Sequence, residues 1–161
     1  MEHLVKEKYA QMIRVYRHLA QISINNGRKI SNVEAKDTAE DFFNQCYHLK
    51  DYFKKDKTIK IFDDVEKYIN KDPNLSLAAD YCNIFKHAGL NNKPRSGKKI
   101  EKINTHIFLL DPTSQGKVNF SRLEIKIDGK SHDVFAIATE CVKAWNKYLK
   151  KHGLQKIIEE V

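Results

Sequence analysis

Apolar residues recur at intervals of three and four through most of the chain, and this spacing is typical of one face of a helix. Phe42, Cys46 and Leu49 follow it in the middle of the longest such stretch. Five stretches with this period are predicted to be helices: residues 2–25, 32–55, 59–71, 75–88 and 134–152.

Residues that start and stop helices support these bounds. Ser31 and Glu34 have the spacing of a capping box, so a helix is predicted to begin directly after Ser31. Asp72 precedes Pro73 and is therefore expected to leave helical geometry, which ends the third helix. Asn74 is predicted to cap the fourth.

The period changes to two between residues 105 and 134, as expected for strands. Strands are predicted at 105–111, 118–127 and 131–134. Asp128-Gly129 is a strong hairpin signal because both residues tolerate positive φ. The predicted fold is mainly α within the α+β class: about five bundled helices with a small antiparallel hairpin or sheet before the last one, as a single domain over 1–161.

Composition narrows the class of protein. Hydrophobic residues make up 41% of 161, enough for a packed core, and no apolar run approaches the roughly 20 residues that span a bilayer. We therefore expect a cytoplasmic protein that does not contact membranes. Cys46, Cys82 and Cys141 are expected to be reduced thiols packed in the core, where burial raises a thiol pKa and disfavours nucleophilic catalysis.

The formal net charge of +8 favours contact with a polyanion such as RNA, although a lysine-rich surface alone produces the same value. Residues 93–99 form a predicted basic loop, in which the amides around Ser96 and Gly97 could add phosphate contacts. Alternatively, this loop is only a solvated, mobile connection. The candidate nucleic-acid-binding residues are Lys86, Lys93, Arg95, Lys98 and Lys99.

Two predicted helices carry a histidine away from the apolar stripe. His48 and Asp51 share a face of the second helix, and Asn83 and His87 share a face of the fourth. If the two faces meet, an imidazole base, a carboxylate that orients it and an amide would form a catalytic site. The alternative is a structural hydrogen-bond network or polar residues that face solvent. His and Asp at these spacings could also ligate zinc or manganese, but no HExxH or paired CxxC motif supports a metal site, and none is expected. No cofactor is expected either.

The helical bundle, together with the Asn83-Ile-Phe-Lys86-His87 segment that closes a helix, resembles the HEPN superfamily. That resemblance covers about residues 1–90 and implies a small, often dimeric protein: a ribonuclease or an inactive RNA-binding relative in toxin, anti-phage or CRISPR systems. Active members carry an arginine, then four to six residues, then the histidine. No arginine in this chain has that spacing, because Arg14 is too close to His18 and none lies near His87. Lys86 would therefore have to replace the guanidinium beside His87.

The function expected from the sequence is therefore contact with RNA or another polyanion as a homodimer, with or without metal-independent cleavage. His87 would act as the general acid or base, assisted by His48 and Asp51. The alternative is a non-catalytic partner or immunity protein of a toxin or defence pair, in which the same polar face binds protein.

Overall fold

The computed structural model describes residues 4–23, 31–87, 94–109 and 119–161, with side chains throughout except at 23, 32, 85–87, 102–109 and 119–122. These residues form six helices and one three-stranded sheet, which confirms the predicted mainly α, α+β fold. The elements are α1 Leu4–Ser23, α2 Asn32–Lys55, α3 Val65–Lys71, α4 Pro73–His87, β1 Ile100–Leu109, β2 Asn119–Ile127, β3 Lys130–Asp133, α5 Val134–Lys151 and α6 Gln155–Glu159.

Helix α2 lies at the centre of the fold, since it packs against α1, α3, α4, α5 and β1. Its predicted stripe is buried: Phe42, Cys46 and Leu49 are fully inaccessible to solvent. Trp145 of α5 is buried against it, and its indole Nε1 donates a hydrogen bond of 3.1 Å to the backbone oxygen of Cys46. Trp145 therefore anchors α5, the last long helix, in the bundle.

Two tyrosines attach α5 to the region of α3. The hydroxyl of Tyr68 donates to the backbone oxygen of Ala144 at 2.6 Å, and that of Tyr148 donates to the backbone oxygen of Asp63 at 2.8 Å. Burial, together with the charge of Asp72, raises the pKa of Tyr68 to about 12. Both hydroxyls therefore stay protonated and act as donors at neutral pH.

The sheet has the order β1-β2-β3 and is antiparallel throughout. Leu123, Ile125 and Ile127 alternate along β2 and are buried, as a strand with one face on the core requires. The predicted Asp128-Gly129 turn is confirmed, with φ values of 48° and 78°. β1 starts at Ile100, earlier than the predicted 105, because its pairing with β2 extends as far as Ile127.

Three details of the helices differ from the sequence prediction. α3 begins at Val65 rather than at 59, because the Asp64 carboxylate accepts hydrogen bonds from the amides of Glu66 and Lys67. α4 begins at Pro73, and its cap is Asp72 instead of Asn74: the Asp72 carboxylate accepts from the amides of residues 74 and 75, both at 2.9 Å. The short α6 was not predicted.

None of the helices in the described ranges combines the length and the apolar character needed to cross a bilayer. The long helices carry charged residues along their exposed sides, which accounts for this.

We predict that Asp72→Ala lowers the free energy of unfolding by about 1 kcal/mol, because it removes the acceptor for two amides at the start of α4. Urea denaturation followed by circular dichroism measures the change. Asn74→Ala is the matched control and should cost less than about 0.5 kcal/mol. Equal losses in the two variants would contradict the assignment of Asp72 as the cap.

Candidate functional site

The predicted pair on α2 is formed. His48 Nδ1 lies 3.2 Å from Asp51 Oδ2, as expected for side chains one helical turn apart. The two side chains are 41% and 36% exposed, so solvent reaches both. With Nδ1–H donating to the carboxylate, the lone pair of the neutral ring lies on Nε2.

The other ring nitrogen faces a cysteine of α4. His48 Nε2 lies 3.7 Å from Cys82 Sγ, and the thiol donates to Asn44 Oδ1 at 2.9 Å. Cys82 is buried as predicted, but its sulfur contacts two polar side chains of α2. Asn44, His48, Asp51 and Cys82 therefore form one cluster between α2 and α4, which we call the thiol–imidazole cluster.

Of the other two predicted catalytic residues, the structure describes the side chain of Asn83 but not that of His87. Asn83 lies next to Cys82 on α4 and is half-buried. Among the contacts of the described side chains, none joins Asn83 to His48 or Asp51. The backbone of His87 ends α4, but the side chains of His87 and Lys86 lie outside the described part of the structure, and so does Lys93 entirely.

A single carboxylate holds three cations beside this cluster. Glu66 Oε1 accepts from Lys50 Nζ at 2.8 Å and from Lys54 Nζ at 2.6 Å, while its Oε2 accepts from the Arg95 guanidinium at 2.9 Å. Lys50 also lies 3.4 Å from Asp51 Oδ1. A continuous chain of polar contacts thus runs from the thiol–imidazole cluster to Arg95.

Tyr47 fixes the position of two of these cations. The Lys50 ammonium lies 4.7 Å and the Arg95 guanidinium 5.4 Å from the centre of its ring. Arg95 also donates to the Tyr47 hydroxyl at 3.0 Å and to Asn70 Oδ1 at 3.3 Å. Several donors of Arg95 are thus used within the protein, which leaves fewer of them for a phosphate.

A buried carboxylate attaches the segment 94–99 to α4. Asp80 is 1% exposed and accepts from the amides of Arg95 and Ser96 at 2.7 and 2.9 Å, and from the Ser96 hydroxyl. The Gly97 amide donates to the backbone oxygen of Pro94. The expectation that the amides of Ser96 and Gly97 hold phosphates is therefore not supported, because both amides already have acceptors.

The same segment is also attached at its other end. The Lys99 amide donates to Asp128 Oδ1 at 2.8 Å, and the Asp128 amide donates to the Lys99 backbone oxygen at 2.9 Å. The side chains of Lys98 and Lys99 remain exposed. We call Lys50, Lys54, Arg95, Lys98 and Lys99 the basic rim.

The carboxylates of Asp51 and Glu66 are held ionised. Burial opposes ionisation of Asp51, but hydrogen bonds from His48 and Lys50 outweigh it and keep the pKa of Asp51 below its ordinary value. Burial also opposes ionisation of Glu66, yet the hydrogen bonds from Lys50, Lys54 and Arg95 lower its pKa to about 2. The two groups are therefore negative throughout the neutral range.

The sequence analysis missed several residues that the structure adds to this region. Asn44, which is four residues before His48, was detectable, because the pair and Asp51 follow one helical line. The polar contacts of Cys82 and the role of Glu66 depend on packing between helices distant in sequence, so no local signal reveals them.

Among the described residues, no group of three His, Cys, Asp or Glu side chains is arranged to hold a metal ion. Comparison of the chain with protein family models, curated proteins and solved structures gives no match.

We predict that Glu66→Gln lowers the free energy of unfolding by roughly 1 kcal/mol at neutral pH, because three cations lose their shared partner. The pKa of Glu66 is depressed from 4.5 to about 2, so its contribution is complete above pH 4.5 and is lost as the pH falls towards 2. The difference between wild type and variant should therefore shrink across that interval in denaturation experiments.

Glu140→Gln is the matched control for this measurement. Glu140 is 51% exposed and pairs with Lys143 on its own helix. Its substitution should change stability little at any pH. A Glu66→Gln variant that behaves like Glu140→Gln would show that the three cations contribute nothing through Glu66.

Proposed function

We propose that the basic rim binds a phosphate polyanion, with single-stranded RNA as the ligand class. Two observations support this proposal: Glu66 holds the side chains of Lys50, Lys54 and Arg95 together, and Asp80 and Asp128 fix the backbone of the segment that carries Lys98 and Lys99. Anchoring matters because ordering flexible cations on binding costs conformational entropy. The net charge of +8 acts in the same direction by attracting anions at long range.

Within the rim, the cations differ in how freely they can meet a phosphate. The Lys50 side chain is only 12% exposed and contacts two carboxylates, so it mainly supports its neighbours. Lys54 is 47% exposed, and Lys98 and Lys99 are exposed as well. We therefore expect Lys54, Lys98 and Lys99 to make the phosphate contacts, and Arg95 to hold the segment in place.

The test is the salt dependence of RNA binding, followed by fluorescence anisotropy of a labelled single-stranded RNA. Each phosphate contact to a single strand contributes about 0.7 to the slope of log K against log salt. Lys98→Gln combined with Lys99→Gln should therefore reduce the slope by roughly 1.4.

The control is the same charge change on α5, Lys143→Gln with Lys147→Gln, which leaves the basic rim intact. If the slope of log K against log salt fell in the α5 variant and not in the Lys98/Lys99 variant, RNA would bind at α5, which would contradict the proposal. Wild-type protein that shows no salt-dependent RNA binding would contradict the proposal and favour the alternative, a protein-binding face.

Metal-independent RNA cleavage is a second candidate, and the His48–Asp51 pair favours it. In such a reaction a base removes the proton of the ribose 2′-hydroxyl, which attacks the adjacent phosphorus, and an acid protonates the departing 5′ oxygen. His48, oriented by Asp51 and 41% exposed, has the chemistry for one of these transfers. Its Nε2 would first have to break the 3.7 Å contact with Cys82 Sγ and then contact the RNA. His87 is the proposed second group.

We predict that RNA cleavage measured in the presence of a chelator falls by at least about a hundredfold in His48→Ala and in His87→Ala, with the fold retained. His18→Ala is the control, because His18 also lies beside a carboxylate, that of Glu34, but belongs to α1. Cleavage that persists in both the His48 and the His87 variants would exclude these residues as the proton-transfer groups.

A further inference from the structure

The thiol–imidazole cluster has the three parts of an activated nucleophile. Such a site needs a nucleophile within reach of a base and a third group that orients the base. Here Cys82 Sγ lies 3.7 Å from His48 Nε2, and Asp51 holds Nδ1 of the same ring at 3.2 Å. The two ring nitrogens therefore face different partners, and the nitrogen that faces the sulfur is the one free to accept a proton.

We propose that Cys82 is a reactive thiol, activated by His48 and Asp51, and that it is a site of covalent modification by small disulfides. The inference goes beyond RNA binding, because no step in it involves nucleic acid or the basic rim.

The position of the thiol proton fits this role. The Cys82 thiol donates to Asn44 Oδ1 at 2.9 Å, and rotation about the Cβ–Sγ bond directs the same proton to His48 Nε2. Proton transfer leaves a thiolate beside an imidazolium, and Asp51 stabilises the imidazolium. Asn44 can then turn its amide N–H groups towards the sulfur, which satisfies the thiolate.

The reaction is a balanced exchange. The Cys82 thiolate attacks one sulfur of a disulfide R–S–S–R, a new S–S bond forms and the old S–S bond breaks. The departing R–S⁻ takes the proton from His48 Nε2 and leaves as R–SH. Cys82 is thereby oxidised to a mixed disulfide, and the other half of the reagent is reduced to a thiol.

The burial of Cys82 limits the size of the disulfide that can reach its sulfur. Cys82 is only 3% exposed, whereas the His48 ring beside it is 41% exposed. A reactant must therefore approach along the imidazole edge, which favours small and unbranched disulfides over bulky ones.

The other two cysteines of the chain are internal controls. Cys46 and Cys141 are fully buried. Burial, with the hydrogen bond and the charge of Cys46, raises the pKa of the Cys141 thiol well above its ordinary value. Neither is expected to react in the folded chain. In urea, all three should react at similar rates.

The experiment exposes the native protein to hydroxyethyl disulfide at neutral pH and follows the mixed disulfide at each cysteine by peptide mass spectrometry. Cys82 should react at least about tenfold faster than Cys46 and Cys141. His48→Ala should slow Cys82 by about a hundredfold, and Asp51→Asn by about tenfold. His18→Ala should leave the rate unchanged.

Two results would overturn the inference. One is modification of Cys82 no faster than that of Cys141, which would mean that the thiol reacts only when the protein unfolds. The other is an unchanged Cys82 rate in both His48→Ala and His48→Gln with the fold retained, which would remove the imidazole from the reaction. Since the readout contains no RNA, it is independent of whether the basic rim binds RNA.

Discussion

Helix α2 constrains the rest of the structure, because one side of it supplies the core while another carries the polar cluster. Its buried stripe receives Trp145 through both packing and the hydrogen bond to the Cys46 oxygen. That contact fixes the rotation of α2 about its axis. Once the rotation is fixed, Asn44 and His48 face Cys82 of α4, and Asp51 follows them on the same helical line.

Two carboxylates position α4 and the segment that follows it. Asp80 accepts hydrogen bonds from two amides and one hydroxyl of the segment after α4. Asp72 caps the start of α4 itself. Leaving the buried Asp80 carboxylate without donors would cost several kcal/mol, so the segment after α4 must follow the path that supplies them. The backbone of the segment that carries Arg95, Lys98 and Lys99 is therefore positioned in part by the Asp80 carboxylate, which is itself hidden from a ligand.

The sequence predicted what depends on neighbouring residues and missed what depends on distant ones. The stripe of α2, the Ser31 cap, the Asp128-Gly129 turn and the His48–Asp51 pair all follow from spacings of a few residues, and the structure confirms them. The predicted start of α3 was wrong. Ile61 and Phe62 fit the helical period of apolar residues, but the helix is capped at Asp64 and begins after it. The attachment of residue 95 to Asp80 spans 15 positions, so no local pattern predicts it.

Dependence on residues distant in sequence also explains why the sequence analysis assigned Cys82 to the core. Tyr81 and Ile84, which lie near it in sequence, are largely apolar, and its burial is indeed almost complete. What a single helix cannot reveal is which residues of the facing helix it meets. A buried thiol against leucines is inert, whereas the same thiol against an amide and an oriented imidazole has a route for its proton. The chemistry of Cys82 therefore depends on how α2 and α4 face each other more than on its degree of burial.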